Sequence, residues 1–355
     1  MLFEPFSLSP HITFSNRMVM APMTRRRAEN DDLAANDLMA LYYRQRASCG
    51  LIIAEGSQIS PQAYGYTNSP GCFTRKQVAG WKKVTGAVHQ EGGKIFLQLW
   101  HVGPYSHALL QPGQQSPLSA SPVKPDGEVL TSRGRLPYDW ARAMTKEDIW
   151  QTIADFGKAA ANASQAGFDG VEIHGAHAYV IDQFIMDGTN KRNDEFGGSV
   201  ENRSKFLFLI VEEVLKYLPP EKVGLRLSPA SVKPRMEDSQ PLKTYGYIVE
   251  KLNDYQLAYL HISEMMTPEE RMSSPLRGVV PFYRNLYKGN LISCGGHTAE
   301  SATRMLKEDQ ADLIAFGKPF ISNPDLVDKL KNSIPLTPWE KDTFYHGGEK
   351  GYVDY

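Results

Sequence analysis

Apolar residues in this chain fall in short runs separated by longer amphipathic stretches. The runs cover 18–22, 51–55, 95–100, 170–174, 223–228, 258–263, 291–294 and 313–316. Each has the length of a strand rather than a helix. The stretches between them, 35–48, 75–91, 146–166, 200–218, 243–254, 281–288, 298–308 and 324–332, read as helices. Thr145 is the expected N-cap of the third, with Asp148 three residues on and Gly167 just past its end. Pro324 is expected in the first turn of the last.

Eight strand–helix alternations predict a (β/α)8 barrel, an α/β fold that holds a chain of 355 residues as one domain, here 1–355. The alternative is an open doubly wound sheet. That fold wants a Gly-rich dinucleotide fingerprint after an early strand, and none is present. Residues 104–144, rich in Pro, Gly, Ser and Gln, exceed a bare barrel loop. They predict a lid inserted after the third strand, with a hairpin turning at Asp126-Gly127.

Polar residues interrupt the strands near their C-terminal ends, where barrels of this kind carry their chemistry. Alternation pairs Gln98 with Trp100, pairs Glu172 with His174, and isolates Arg226 between Leu225 and Leu227. These groups either satisfy one another inside the barrel or face a ligand. A buried arginine needs an anionic or strongly hydrogen-bonding partner. Their clustering at one end favours the ligand. After the fourth strand His174, His177 and Tyr179 fall within six residues. Two imidazoles and a phenol can bind and protonate an oxygen-bearing small molecule. A metal site would need a third ligand beside the histidines, and neither Glu172 nor Asp169 is at a convincing spacing. The last two strands end in Gly295-Gly296 and Gly317-Lys318. This is the usual phosphate position of the fold, and glycine lets backbone amides approach closely.

Composition narrows the partners. Apolar residues make up 41%, charged residues 22%, and the net charge is -1, which suggests neither nucleic acid nor an anionic membrane. Arg25, Arg26 and Arg27 form a basic run too short for a nucleic-acid footprint. Three widely spaced cysteines argue against a disulfide framework, and Cys72 and Cys294 read as small buried fillers. The first residues lack a secretion signal, and the longest apolar run, 206–211, is too short to span a bilayer. A soluble cytoplasmic protein is expected, as a monomer or homodimer.

In order along the chain stand NRMVMAPMTRRRA, EGSQIS, FLQLWHVG, VEIHGAHAYVIDQF, NKRNDEFGGSVENR, VGLRLSP, FGKPFISNPDLV and GYVDY. Together they resemble the Old Yellow Enzyme family of FMN-dependent alkene reductases, over nearly the whole chain. The resemblance implies non-covalent FMN at the barrel mouth, with NADPH or NADH as hydride donor. It implies hydride delivery to the β carbon of an α,β-unsaturated carbonyl or nitro compound. By resemblance Pro22, Met23 and Thr24 flank the flavin ring, Thr24 placing the chain in the founding subgroup. Gly56 and Gln98 meet the pyrimidine edge, and Arg226 lies where negative charge collects on reduction. Gly295, Gly296, Gly317 and Lys318 hold the phosphate, Lys318 standing where the family usually has Arg. His174 and His177 grip the substrate oxygen, Tyr179 protonates the α carbon, and Trp100, Tyr66 and Tyr345 line the cavity. The segment 264–280, worded unlike the family, is expected to reshape one wall of the pocket. Ser199 is read as a helix N-cap without chemistry.

Overall fold

The computed structural model describes residues 1–230, 236–264 and 278–355. It begins with an antiparallel hairpin, β1 (Phe6–Ser9) and β2 (Ile12–Phe14). The first barrel strands are β3 (Met18–Met20), β4 (Leu51–Gln58) and β5 (Ile95–Trp100). An insertion then carries β6 (Leu118–Ser119), β7 (Glu128–Thr131), β8 (Gly134–Pro137) and β9 (Arg142–Ala143). The remaining strands are β10 (Gly170–Gly175), β11 (Val223–Leu227), β12 (Tyr259–Ser263), β13 (Leu291–Cys294) and β14 (Leu313–Phe316). The last five and the first three close into one parallel barrel, with β14 pairing β3. The eight-stranded barrel is the expected fold, and the open-sheet alternative falls.

Strand alternation sorts the core into two parts. Ile52, Ala54, Leu97, Leu99, Ile173, Leu225 and Leu227 face outward and pack on helices such as Arg75–Gln90, Lys146–Gln165 and Val200–Leu215. Leu51, Ile53, Phe96, Tyr259, Ile292 and Leu313 face inward, and Leu8, Ile12 and Phe14 of the hairpin join them from below. The barrel is therefore filled and plugged at its N-terminal end. Two inward glycines make room for rings. A Cβ on Gly170 would lie 2.5 Å from the Phe96 ring, and one on Gly224 2.2 Å from the Tyr259 ring.

Thr145 caps its helix as expected, in a reciprocal box with Asp148, and Ser199 caps the next long helix. Two local expectations are corrected. The insertion hairpin turns at Ser132-Arg133, because β7 pairs Thr131 with Gly134. Thr131 Oγ1 accepts from Arg133 N and donates to Gly134 O, which stabilises that turn, while Asp126-Gly127 leads into β7. Pro324 lies ahead of the last helix, Leu326–Lys331, whose N-cap is Asp325. Most of the segment 264–280 lies outside the described residues.

Candidate active site

The chain leaves β10 through an unusual turn. His177 and Ala178 both have positive φ, 59° and 62°, a conformation costly for residues with a Cβ. Among the described residues, hydrogen bonds hold them there. His177 N donates to Ser228 Oγ at 2.7 Å, and Ala178 N donates to Asp182 Oδ2 at 2.8 Å. Gln183 Nε2 donates to Ala178 O at 2.8 Å, and His177 Nε2 lies 3.0 Å from Ser263 Oγ. Asp182 is itself bonded by the Tyr245 hydroxyl. The turn brings the His174, His177 and Tyr179 rings together, with His174 centroids 5.5 Å from His177 and 5.1 Å from Tyr179. Ala176 N donates to His174 Nδ1 at 3.3 Å, so a neutral His174 carries its proton on Nε2.

Trp100 closes one side, 5.0 Å from the Tyr179 ring and 5.4 Å from Tyr66, on which it stacks. The Tyr179 hydroxyl lies 3.3 Å from that of Tyr66, which is 3.5 Å from that of Tyr138 in the insertion. Burial pushes the Tyr179 phenol above its usual value, against the opposing effect of Tyr66, so it holds its proton at neutral pH.

Beside this wall the barrel axis carries charge. Arg226 donates to Ser263 Oγ at 3.2 Å and to Cys294 Sγ at 3.7 Å. Its Nε is buried with no partner among the described residues. Gln98 Nε2 donates to Glu172 Oε1 at 2.8 Å, and Glu172 Oε2 lies 2.8 Å from His261 Nδ1. Pro22, Met23 and Thr24 stay partly exposed although the preceding strand is buried, so they form an open floor. A Cβ on Gly317 would meet only Met23 Sδ, at 3.7 Å, and Lys318 beside it is exposed. Gly295 and Gly296 follow β13, next to β14 in the barrel. An orphaned guanidinium nitrogen, an open floor and an uncrowded glycine exit fit an anionic ring system with a phosphate tail.

The structure thus gathers Gln98, Trp100, His174, His177, Tyr179, Tyr66 and Arg226 at one end of the barrel. Gly56 lies under Trp100, where a Cβ would come 2.7 Å from the indole. Tyr345 is 51% exposed and sits at the rim. Cys294 is a correction. It is only partly buried, and His261 and Arg226 outweigh burial to bring its thiol below the usual range. His261 was missed, although it shares the inward alternation of Tyr259 and Ser263 in YLHIS. Arg25 and Arg27 are 1% exposed and bind backbone carbonyls of residues 343–351.

A closed barrel with imidazoles, a phenol and an arginine around an anion-compatible floor suits a barrel enzyme with an anionic cofactor at its mouth. Residues 1–337 match the NADH:flavin oxidoreductase / NADH oxidase family. The chain belongs to that family, and within it to the Old Yellow Enzymes. It is 38% identical to 12-oxophytodienoate reductase 1 of Oryza sativa subsp. japonica, covering all of this chain and 92% of the relative. It superposes on the old yellow enzyme homologue of Zymomonas mobilis with TM-score 0.94 at 38% identity, covering 100% and 99% of the two chains. Morphinone reductase in complex with tetrahydroNAD gives TM-score 0.91 at 41% identity, covering 100% and 96%. The chain is an NAD(P)H-dependent FMN oxidoreductase of the alkene reductase type. No helix among the described residues is long and apolar enough to cross a membrane.

Proposed function

We propose that His174, His177 and Tyr179 carry out the alkene half of the reaction, on FMN held by Pro22, Met23, Thr24, Gly56, Gln98 and Arg226. Gly295, Gly296, Gly317 and Lys318 hold its phosphate. Bound FMN supplies a two-electron carrier that takes hydride from the nicotinamide and gives hydride to the β carbon. The observation that supports this reading is the strained turn that brings two imidazole rings and a phenol ring together after β10. His174 and His177 donate to the substrate's carbonyl or nitro oxygen, where negative charge builds as hydride arrives. Tyr179 delivers the proton to the α carbon. Trp100 and Tyr66 line the cavity, with Tyr345 at its edge. The substrate is an electron-poor alkene.

We read the chain as one barrel domain, with residues 104–144 as a lid. Tyr138 and Val129 of that insertion pack with Trp100, Tyr105 and Tyr179, which supports the reading. The fold and composition suit a cytoplasmic enzyme, monomeric or homodimeric, that uses NADPH or NADH.

Purified protein should be yellow and release about one FMN per chain on denaturation, measured by fluorescence and chromatography. Release of FAD, or no flavin after reconstitution with excess FMN, would refute the cofactor site. Simple phenols should bind the oxidised protein with a long-wavelength charge-transfer band, the phenolate oxygen lying between the two imidazoles. His174→Ala should weaken that binding by about 1.5–3 kcal/mol, the worth of a charge-assisted hydrogen bond. A spectroscopic titration with parental affinity would remove His174 from the anion site.

A further inference from the structure

The two ends of the Gln98 amide have the same shape, so its orientation is set by whatever grips one end. Glu172 does this. An ionised carboxylate only accepts hydrogen bonds, so it takes the amide Nε2–H and leaves the Gln98 carbonyl oxygen for the mouth. Glu172 is wholly buried, and a lone buried carboxylate is costly. Its other oxygen meets His261 Nδ1, also wholly buried, which can carry the compensating charge. The pair lies directly beside Arg226, which is in register with His261 on the neighbouring strand.

We propose that Glu172 and His261 are positioning residues, a buried carboxylate–imidazolium pair that fixes Gln98 and cancels its own charge beneath the flavin. Arg226 then acts as the uncompensated cation at that edge. This rests on the reading that Gln98 and Arg226 face the flavin. Burial alone would strip the proton from His261, but Glu172, helped by Cys294, outweighs burial and the repulsion of Arg226, and His261 lies above its usual value. Among the described residues, Glu172 on β10, Arg226 on β11 and Cys294 on β13 act on it. Tyr259 lies two residues before it on β12.

The measurable quantity is the ratio of reduced to oxidised FMN affinity, obtained from the flavin's reduction potential in the protein. Losing the His261 proton leaves Glu172 as a bare anion under a ring that becomes anionic on reduction. In the parent the ratio should therefore fall as pH rises through the His261 value. His261→Asn should lower the ratio on the order of tenfold at neutral pH, as expected for one charge near the ring. Glu172→Gln/His261→Asn should restore the ratio and abolish that pH step. Cys294→Ser, measured alongside, should keep the step. A purely structural pair would lower stability and leave the ratio and its pH profile unchanged. Parental behaviour in His261→Asn, or a double variant that fails to recover, overturns the proposal. If His261→Asn does not fold, a pH step persisting in the double variant overturns it equally. Arg226→Met and Gln98→Ala serve as controls. Arg226→Met should lower the ratio by itself. If both controls leave the ratio and FMN retention at parental values, the flavin placement is wrong, and the failure belongs to that reading.

Discussion

Tyr179→Phe should leave flavin reduction by the nicotinamide at its parental rate and slow reoxidation by an enone roughly 10²–10⁴-fold, the usual worth of a positioned general acid. The first half-reaction needs no proton from the phenol; the second needs one at the α carbon. The phenyl ring keeps its edge contacts with Trp100 and His174, so packing is largely preserved. Tyr66 and Tyr138 remain within hydrogen-bond reach of each other, so the deletion leaves neither hydroxyl stranded. Burial favours the protonated phenol, so the parent has its acid loaded across the neutral range. Quinones, which accept electrons without α-carbon protonation, should be spared in the variant. Stopped-flow absorbance separates the half-reactions. Enone reoxidation at parental speed would show that water or another group donates the proton.

Removing residues 344–355 should prevent the chain from reaching a stable fold. Arg25, Arg27 and Arg46 are 1%, 1% and 0% exposed, and this segment supplies many of their acceptors. Arg25 donates to Phe344 O and Gly351 O at 3.0 and 2.7 Å, and Arg27 to His346 O and Gly348 O at 2.7 and 3.0 Å. Arg46 reaches Tyr352 O at 3.3 Å. The Tyr352 ring stacks on Tyr42 at 4.0 Å, with Arg25 and Arg27 over it and Arg46 over Tyr42. Stranding a buried ion costs about 3–5 kcal/mol. Arg46 keeps Tyr42 O, Phe320 O and Ile321 O, so two such losses, at Arg25 and Arg27, fall on a total stability of about 5–15 kcal/mol for a typical domain. Tyr352→Phe is the control. Its hydroxyl is buried without a hydrogen-bond partner among the described residues, so removing it should be neutral or slightly stabilising. Denaturation followed by flavin release reads both. A shortened chain with the parental midpoint would show that the arginines find other acceptors.

The barrel was legible because each strand is a short apolar run bounded by turns, and the long helices carry strong caps such as Thr145 and Ser199. Gln98, Glu172, His174 and Arg226 stood out because a polar group on an inward alternation is costly enough to need a partner. What stayed hidden depends on contacts distant in sequence. No local pattern says that the Arg25 and Arg27 side chains turn away from the mouth toward residues 343–351. Nor does any pattern say that Glu172 finds its cation 89 residues on at His261. The hairpin turn was misplaced because Asp126-Gly127 is a strong local signal, yet pairing across β7 and β8 selects Ser132-Arg133.

The closure of the barrel also sets a timetable for biosynthesis. Strand β3 pairs with β14, and Arg17 bonds Asp312 O, 295 residues later. At ribosomal speeds of about 5–20 residues per second, β3 waits roughly 15–60 s for that partner. The floor loop at Pro22–Thr24 is tied down later still, when Arg25 at its end gains Phe344 O and Gly351 O. Until β14 arrives, β3 exposes an apolar edge that can pair wrongly. Nascent chains are expected to complete the barrel and fix its floor only once these last-made segments are available to pair.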